Sequence, residues 1–562
     1  MGKLVQHNGM KALATTVMGL LAGSVGLAAE SAPVQEQVSI IPRPVELHQR
    51  VGEPGFAAAQ GLLMTQEQMQ DPFCAAAHAA LVAAGVPVRV EPQGTPDLTV
   101  RRDTAAGNAE AYALDVSPAG VRVSAASEQA LFWAAQTLAQ SLLKDAAGAP
   151  ALPSMQVRDE PLLPYRGFMV DTGRSPLSLD ELQKILRLMA RYKLNRLHWH
   201  LTEDQGWRVE IKQFPRLTEV GALRRETPSM AFNGKGDGKP VTRFYTQDEV
   251  RRVVDYAHSL GITVIPEIEV PGHSSAALAA YPELGNDDMP GYAPEVMSTW
   301  GVKPYVYAPK PQTFAFLEGV FTEICELFPR ADIIHIGGDE VPRDHWRRSP
   351  AAQQFMRDKG LTHEGQIQQH FTNRMADFLA GKKRRIMGWD EILEDGAIRQ
   401  DAVAMVWRAD NGKLTRAVQA AKMGHDVVLC PTFYCYFDYS QGKEPEGTDF
   451  YNAIGAHRST KDWRHVYSLN IQLPELTEQE QRHIIGLQAN AWGEAIHNMH
   501  KLEYMCFPRL LALSEIAWTP AQLPDGSRRD ADEFAARLRA HLPYLDAQRV
   551  NYREESGKPR LD

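Results

Sequence analysis

Cysteine is scarce in this chain, with five among 562 residues: Cys74, Cys325, Cys430, Cys435 and Cys506. A disulfide framework therefore cannot be the basis of its stability, which at this length must come from buried apolar surface. The odd number leaves at least one thiol unpaired within the chain. Only Cys430 and Cys435 lie close in sequence, and their spacing leaves both a disulfide and two separate thiols open. Positive charge is also in deficit: 60 Lys and Arg against 69 Asp and Glu give a formal net charge of -9. That balance argues against a nucleic-acid partner, which demands a clustered basic face. Long hydrophobic runs are missing beyond the first thirty residues, so no membrane span is expected in the mature form. What remains, 44% hydrophobic and 23% charged residues, is the composition of a globular protein too long for one core.

The opening residues differ from the rest. Lys3 and Lys11 precede the run "ALATTVMGLLAGSVGLAA", which ends in the small residues Ala28 and Ala29. This pattern predicts a cleaved secretory signal peptide over residues 1–29 and export to the periplasm or beyond the cell. As a membrane anchor the run is short and interrupted by Gly, Thr and Ser. Residues 34–157 read as a small α+β accessory domain. There "DLTVRRD" and "YALDVSPAGVRVSAAS" alternate apolar and polar residues as half-buried strands do, and "EQALFWAAQTLAQSLL" has helical spacing. A proline-rich linker follows.

Residues 160–525 have another rhythm. Eight short apolar runs recur: "GFMVD", "RLHWHLTE", "TVIPEIEV", "DIIHIGGDE", "RRIMGWDE", "AVAMVW", "DVVLC" and "IIGLQANAW". Continuous rather than alternating runs suit parallel strands covered on both faces. Between them, Ser178 with Glu181 and Thr246 with Glu249 have the spacing of capping boxes that open amphipathic helices. The pattern predicts an α/β catalytic (β/α)8 TIM barrel, followed by a helical extension over residues 526–562 that packs on it. Asp171, Glu203, Glu269, Asp339, Glu340, Asp390, Glu391, Trp407 and Trp492 gather at the C-terminal ends of the runs, the face where barrels build active sites.

Several tryptophans among acids, with Arg174 nearby, point to a sugar site. Aromatic faces pack on the C–H faces of pyranoses, while carboxylates and arginine bind hydroxyls. The adjacent pair Asp339 and Glu340 is unusual for such a site. Two carboxyl groups that flank a glycosidic bond normally stand roughly 5–9.5 Å apart. Neighbouring residues, with Cα atoms ~3.8 Å apart, approach a substrate from one side. A 2-acetamido group removes the difficulty, because its own carbonyl oxygen can attack the anomeric carbon. One carboxyl then protonates the leaving oxygen, and the other holds the amide N–H and offsets its developing positive charge.

The motifs "RGFMVDTGR", "KLNRLHWHLTEDQGWR", "IPEIEVPGH", "HIGGDE", "GWDE", "YFDY" and "LQANAWGE", in this order, resemble those of β-N-acetylhexosaminidases of glycoside hydrolase family twenty. The resemblance covers nearly everything after the first thirty residues. It implies exo-hydrolysis of terminal non-reducing β-linked GlcNAc or GalNAc from glycans by a retaining, substrate-assisted route, with no cofactor and no metal. It implies that Glu340 is the general acid and later base, that Asp339 orients the acetamide, and that Tyr436 donates to its carbonyl oxygen. Trp389, Trp407 and Trp492 would wall the pocket, and Arg174, Asp438 and Glu494 would bind ring hydroxyls. Glu203, His273 and His335 would stand behind the carboxylates and tune them. Three positions depart from the family pattern: Glu203 and Glu269 each replace a shorter Asp beside His273, and Ser-Pro follows Arg174 in place of an aromatic residue. Two rival functions exist on the residues alone. In a metal-dependent amidohydrolase, His198 and His200 of "HWH" would bind zinc with His273, His335 and Asp339. In an inactive barrel, the same pocket would only bind glycans.

Overall fold

The eight apolar runs form the eight strands of one closed parallel barrel. In chain order these are β1 (Tyr165–Asp171), β2 (Arg196–His200), β3 (Thr263–Glu267), β4 (Ile333–His335), β5 (Arg385–Trp389), β6 (Val403–Val406), β7 (Asp426–Leu429) and β8 (Ile484–Ala491). The computed structural model describes residues 37–561 except 106, 146–147, 229–235, 410–411 and 443–459. The expected signal peptide lies outside the described residues.

Closure is made by β1, which pairs in parallel with both β2 and β8. Every residue of β1 is buried, since side chains fill the barrel on one face and helices cover the other. Both capping boxes are present, at Ser178–Glu181 and Thr246–Glu249. The helix Leu179–Arg191 turns Leu182, Ile185, Leu186 and Met189 inward, the residues at helical spacing.

Ahead of the barrel lies a five-stranded sheet, in the order Glu46–Gln49, Met155–Asp159, Tyr112–Ser117, Gly120–Ala125 and Leu98–Arg102. Its strands alternate buried and partly exposed residues, as one-sided strands do. Helices Pro72–Ala84 and Glu128–Gln140 supply the covering layer.

Two buried ion pairs join this unit to the barrel. Glu110 faces Arg166 of β1 at 2.6 Å, and Asp159 faces Lys193 at 2.8 Å. The C-terminal helix Ala531–Ala547 adds a third tie: Arg537 binds Glu515 of the helix Arg509–Trp518 at 2.6 Å and the carbonyl of Ile40 at 2.8 Å. All five cysteines are separate thiols, Cys430 and Cys435 included.

Candidate active site

The acid pair sits where β4 gives way to a loop. After His335 the chain turns through Gly337 and Gly338, both left-handed, with φ of 66° and 99°. A side chain at 337 would strike the Glu269 carboxylate, 1.9 Å from the position of its first carbon. Glycine is required there by both backbone and space. Glu340 is itself left-handed at φ 51°, a conformation that costs a non-glycine residue energy and that occurs at functional sites. The turn leaves the Glu340 side chain 45% exposed at the barrel mouth and the Asp339 side chain only 15% exposed. Burial pushes the Asp339 carboxyl up to about 8; His273 opposes this, while Glu391 and Glu340 add to it.

His273 links this pair to a deeper set of acids. Its Nδ1 lies 3.2 Å from both Glu203 and Asp204, and its Nε2 lies 3.7 Å from both Asp339 and Glu340. Burial works against charge on the ring, but Glu203 and Asp339 outweigh it and hold the pKa well above the ordinary histidine value. Glu203 remains ionised because Arg174 and His273 overcome its burial. Arg174 reaches Glu203 at 2.7 Å and Asp171 at 2.8 Å, and stands 3.8 Å from Glu494. Glu269 is the opposite case. Burial, then Asp339 and Glu267, raise its pKa well above the usual range, so it holds a proton where an exposed glutamate does not. The departures thus place an ionised acid, Glu203, against His273 and a proton-holding one, Glu269, 3.9 Å from His200. Ser175, in the third departure, donates to the carbonyl of Gly493 at 2.8 Å and ties the loop after β1 to that after β8.

A cavity of about 670 Å³ opens above these groups. Glu340, Asp339, Tyr436, Arg174, Trp407, Asp438, Trp492, Glu494 and His273 all line it. Tyr436 lies nearly parallel to Trp407, with ring centroids 6.1 Å apart, and Trp492 is 5.7 Å away on the other side. The Trp407 indole N–H donates to Glu391 at 3.0 Å, which fixes the ring. Burial, then Asp390, push Glu391 up to about 8. Burial likewise raises Asp438 to about 7. Burial raises the Tyr436 phenol well above its ordinary value.

One expectation is corrected. Trp389 does not wall the cavity: it is 1% exposed and lies one layer deeper, its ring 5.5 Å from that of Trp492. His335 lies at the same depth, its Nδ1 2.7 Å from Glu267. The residue that holds both in place went unread in the sequence. Glu267, the last residue of β3, takes the Trp389 indole N–H at 2.9 Å and lies 2.9 Å from His198 and 2.5 Å from His200. Its one signal was a glutamate two positions before Glu269, on the same strand face. Gly301, Val302, Tyr439 and Lys461 also line the cavity from outside the helices and strands, and Phe433 lines it from the short helix Thr432–Cys435.

These contacts also account for "HWH". His198 and His200 alternate inward from β2 and meet Glu267 at 2.9 and 2.5 Å, while Gln488 donates to the other nitrogen of His198 at 3.0 Å. Burial lowers His198 to about 4, so it is a neutral member of a hydrogen-bonded core. His273 joins this group through Glu203, which lies 3.2 Å from both His200 and His273.

Comparison with known proteins gives the same answer for most of the chain. Residues 163–521 match the glycosyl hydrolase family 20 catalytic domain, and residues 37–160 match domain 2 of that family. The chain is 39% identical to a β-hexosaminidase of Porphyromonas gingivalis over 79% of its own length, and spans 54% of that relative. It is 34% identical to a β-hexosaminidase of Vibrio furnissii, covering 75% of this chain and 67% of that one. Among solved structures, it resembles a family 20 exo-β-N-acetylglucosaminidase of Vibrio harveyi in complex with N-acetylglucosamine. That match has a TM-score of 0.77 and 31% identity, over 93% of this chain and 79% of the other.

Proposed function

Because the chain belongs to glycosyl hydrolase family 20, we propose that it removes terminal β-linked N-acetylhexosamine from the non-reducing ends of glycans. The single observation that carries this reading is the placement of Asp339 and Glu340. They sit side by side on one loop, both 3.7 Å from one His273 nitrogen, with Tyr436 near enough to Asp339 to feel its charge.

A 2-acetamido sugar completes this arrangement. Glu340 protonates the glycosidic oxygen as the acetamide carbonyl oxygen attacks the anomeric carbon and closes a five-membered oxazolinium ring. Asp339, as carboxylate, accepts the amide N–H and balances the positive charge, and the Tyr436 hydroxyl donates to the carbonyl oxygen. Departure of the aglycone leaves Glu340 ionised. It then takes a proton from water, which attacks the same carbon, reopens the ring and restores the β configuration. Arg174, Asp438 and Glu494 bind ring hydroxyls, Trp492 and Trp407 enclose the sugar and its acetamide methyl, and Trp389 supports Trp492 from below. Export rests on the opening sequence: Lys3, Lys11 and the apolar run to Ala29 support a secretory signal and a periplasmic or extracellular site of action.

Paired aryl glycosides test the scheme. An aryl N-acetyl-β-glucosaminide is turned over with retention, while the plain aryl β-glucoside, which lacks the internal nucleophile, reacts at least ~10³-fold more slowly. Equal rates on the two would refute it.

A further inference from the structure

Tyr436 and Asp438 do not project from a barrel strand. They follow the short helix Thr432–Cys435, on a stretch tied to β8 by one isolated bridge between Tyr436 and Asn490 and by a 2.8 Å bond from Phe437 N to the Asn490 carbonyl. Groups that bind a reacting sugar must be held to fractions of an ångström, which irregular backbone does not achieve alone.

Arg509 supplies a frame. It is the first residue of the helix Arg509–Trp518 and is fully buried. Its Nη2 donates to the carbonyl of Phe437 at 2.6 Å, and its Nη1 donates to the carbonyls of Tyr439 at 2.9 Å and Lys461 at 3.1 Å. Nε is spent on its own side, donating to the carbonyl of Met505 at 2.8 Å, and Nη2 also contacts that oxygen. The guanidinium carbon lies 4.5 Å from the centre of the Phe437 ring. One planar fork therefore grips the carbonyls of the two residues that flank Asp438. A lysine ammonium, a single point with no plane, cannot span the same set. Charge works in the same direction: burial raises Asp438 to about 7, and Arg509 and Lys461 pull against that rise.

We propose that Arg509 is a positioning residue for sugar recognition, holding the backbone on both sides of Asp438 and thereby placing the Asp438 carboxylate and the Tyr436 hydroxyl without touching substrate. The inference rests on the reaction proposed above.

The test is steady-state kinetics on an aryl N-acetyl-β-glucosaminide. Calorimetric binding of a thiazoline analogue of the cyclised sugar accompanies it, with folded fraction fixed by circular dichroism. Arg509→Lys keeps the charge and loses the fork; kcat/KM falls ~100-fold, the cost of misplacing groups by about 1 Å, and thiazoline affinity falls with it. In a Tyr436→Phe background the same substitution costs less, because one of its two targets is already gone while Asp438 remains. Arg509→Met also removes the charge, so Asp438 protonates at higher pH and KM begins to rise at a higher pH than in the wild type. Unchanged constants per folded molecule, or full additivity with Tyr436→Phe, overturn the inference. So does a chain that folds with no residue but arginine at 509, which makes Arg509 a requirement of folding only. A wild type inert on the acetamido substrate sinks the reaction itself; an active wild type with an unimpaired Arg509→Lys sinks only this step.

Discussion

Asp159 and Asp339 are both largely withdrawn from water, and they differ in what surrounds them. Asp159, between the accessory domain and the barrel, is saturated. One oxygen accepts from Val45 N at 3.1 Å and Trp518 Nε1 at 2.8 Å; the other accepts from the Tyr112 hydroxyl at 2.5 Å and Lys193 at 2.8 Å. Asp339 has His273 at 3.7 Å from one oxygen, and its other oxygen finds no protein donor among the described residues. Buried polar groups left without partners cost stability, so their persistence calls for a reason. At Asp159 the donors come from the protein, and the carboxylate joins two domains. At Asp339 the donor expected is the amide N–H of the substrate. Saturation distinguishes a carboxylate that holds the fold from one poised for chemistry.

The widest separation between the two comes from changing each to asparagine. Asp339→Asn keeps the shape and removes the charge that, in the proposed reaction, balances the oxazolinium ring. Activity falls ~10³-fold and is not recovered by better leaving groups, whereas Glu340→Gln loses least on substrates whose leaving group needs no proton. Stability moves the other way. The carboxyl of Asp339, raised to about 8, makes its most favourable contribution when protonated, and that contribution is lost as pH rises from the ordinary aspartate range through about 8. Melting curves of Asp339→Asn and wild type therefore diverge with rising pH, the variant becoming the more stable. The upper limit is about 1.4 kcal/mol per pH unit, reduced by the water that reaches the side chain. A variant that loses stability at pH 8 along with its activity would erase the contrast.

Asp159→Asn carries the opposite signature and a smaller effect on the chemistry. Lys193, whose pKa burial lowers and Asp159 restores in part, loses the charge that balances it in the joint. Breaking one side of a buried pair costs about 3–5 kcal/mol, readable as a lower denaturant midpoint. Folded molecules keep their kcat and KM, because no group in the joint lines the cavity. A kcat that falls with an unchanged midpoint would place the joint in the mechanism.

How much of this was visible in the sequence follows from what periodicity encodes. The eight strands could be read because a strand covered on both faces has no polar side, and Ile333, Ile334 and Ile336 carry that mark plainly. Adjacency of Asp339 and Glu340 already implies that both reach the barrel mouth from one loop, as they do. Depth in the barrel is not encoded this way. Alternation assigns Trp389 and His335 to inward faces but not to a layer, and both ended one layer below the cavity, on Glu267. Glu267 itself was hidden because its partners come from β2, β4 and β5, far apart in the chain. Arg509 was hidden for the same reason: its partners are the carbonyls of Phe437, Tyr439 and Lys461, and backbone oxygens leave no trace in side-chain identity.

The finest test of the comparison concerns what keeps Asp339 ionisable at all. Burial dominates its pKa, and His273 is the group that opposes burial most. The imidazole faces Glu203 and Asp204 on one side and Asp339 and Glu340 on the other, so its positive charge is the one turned toward the acid pair. His273 is left-handed at φ 43°, which asparagine tolerates well, so His273→Asn removes the charge with little backbone cost. Without that charge the pKa of Asp339 climbs further, and a higher pH is needed for the ionised form that accepts the amide N–H. The acidic limb of kcat/KM then moves upward by about one pH unit, with the plateau largely kept and the rate on the limb lowered about tenfold. An unmoved limb would mean that a charge 3.7 Å away does not govern Asp339, and that its readiness for substrate comes from desolvation alone.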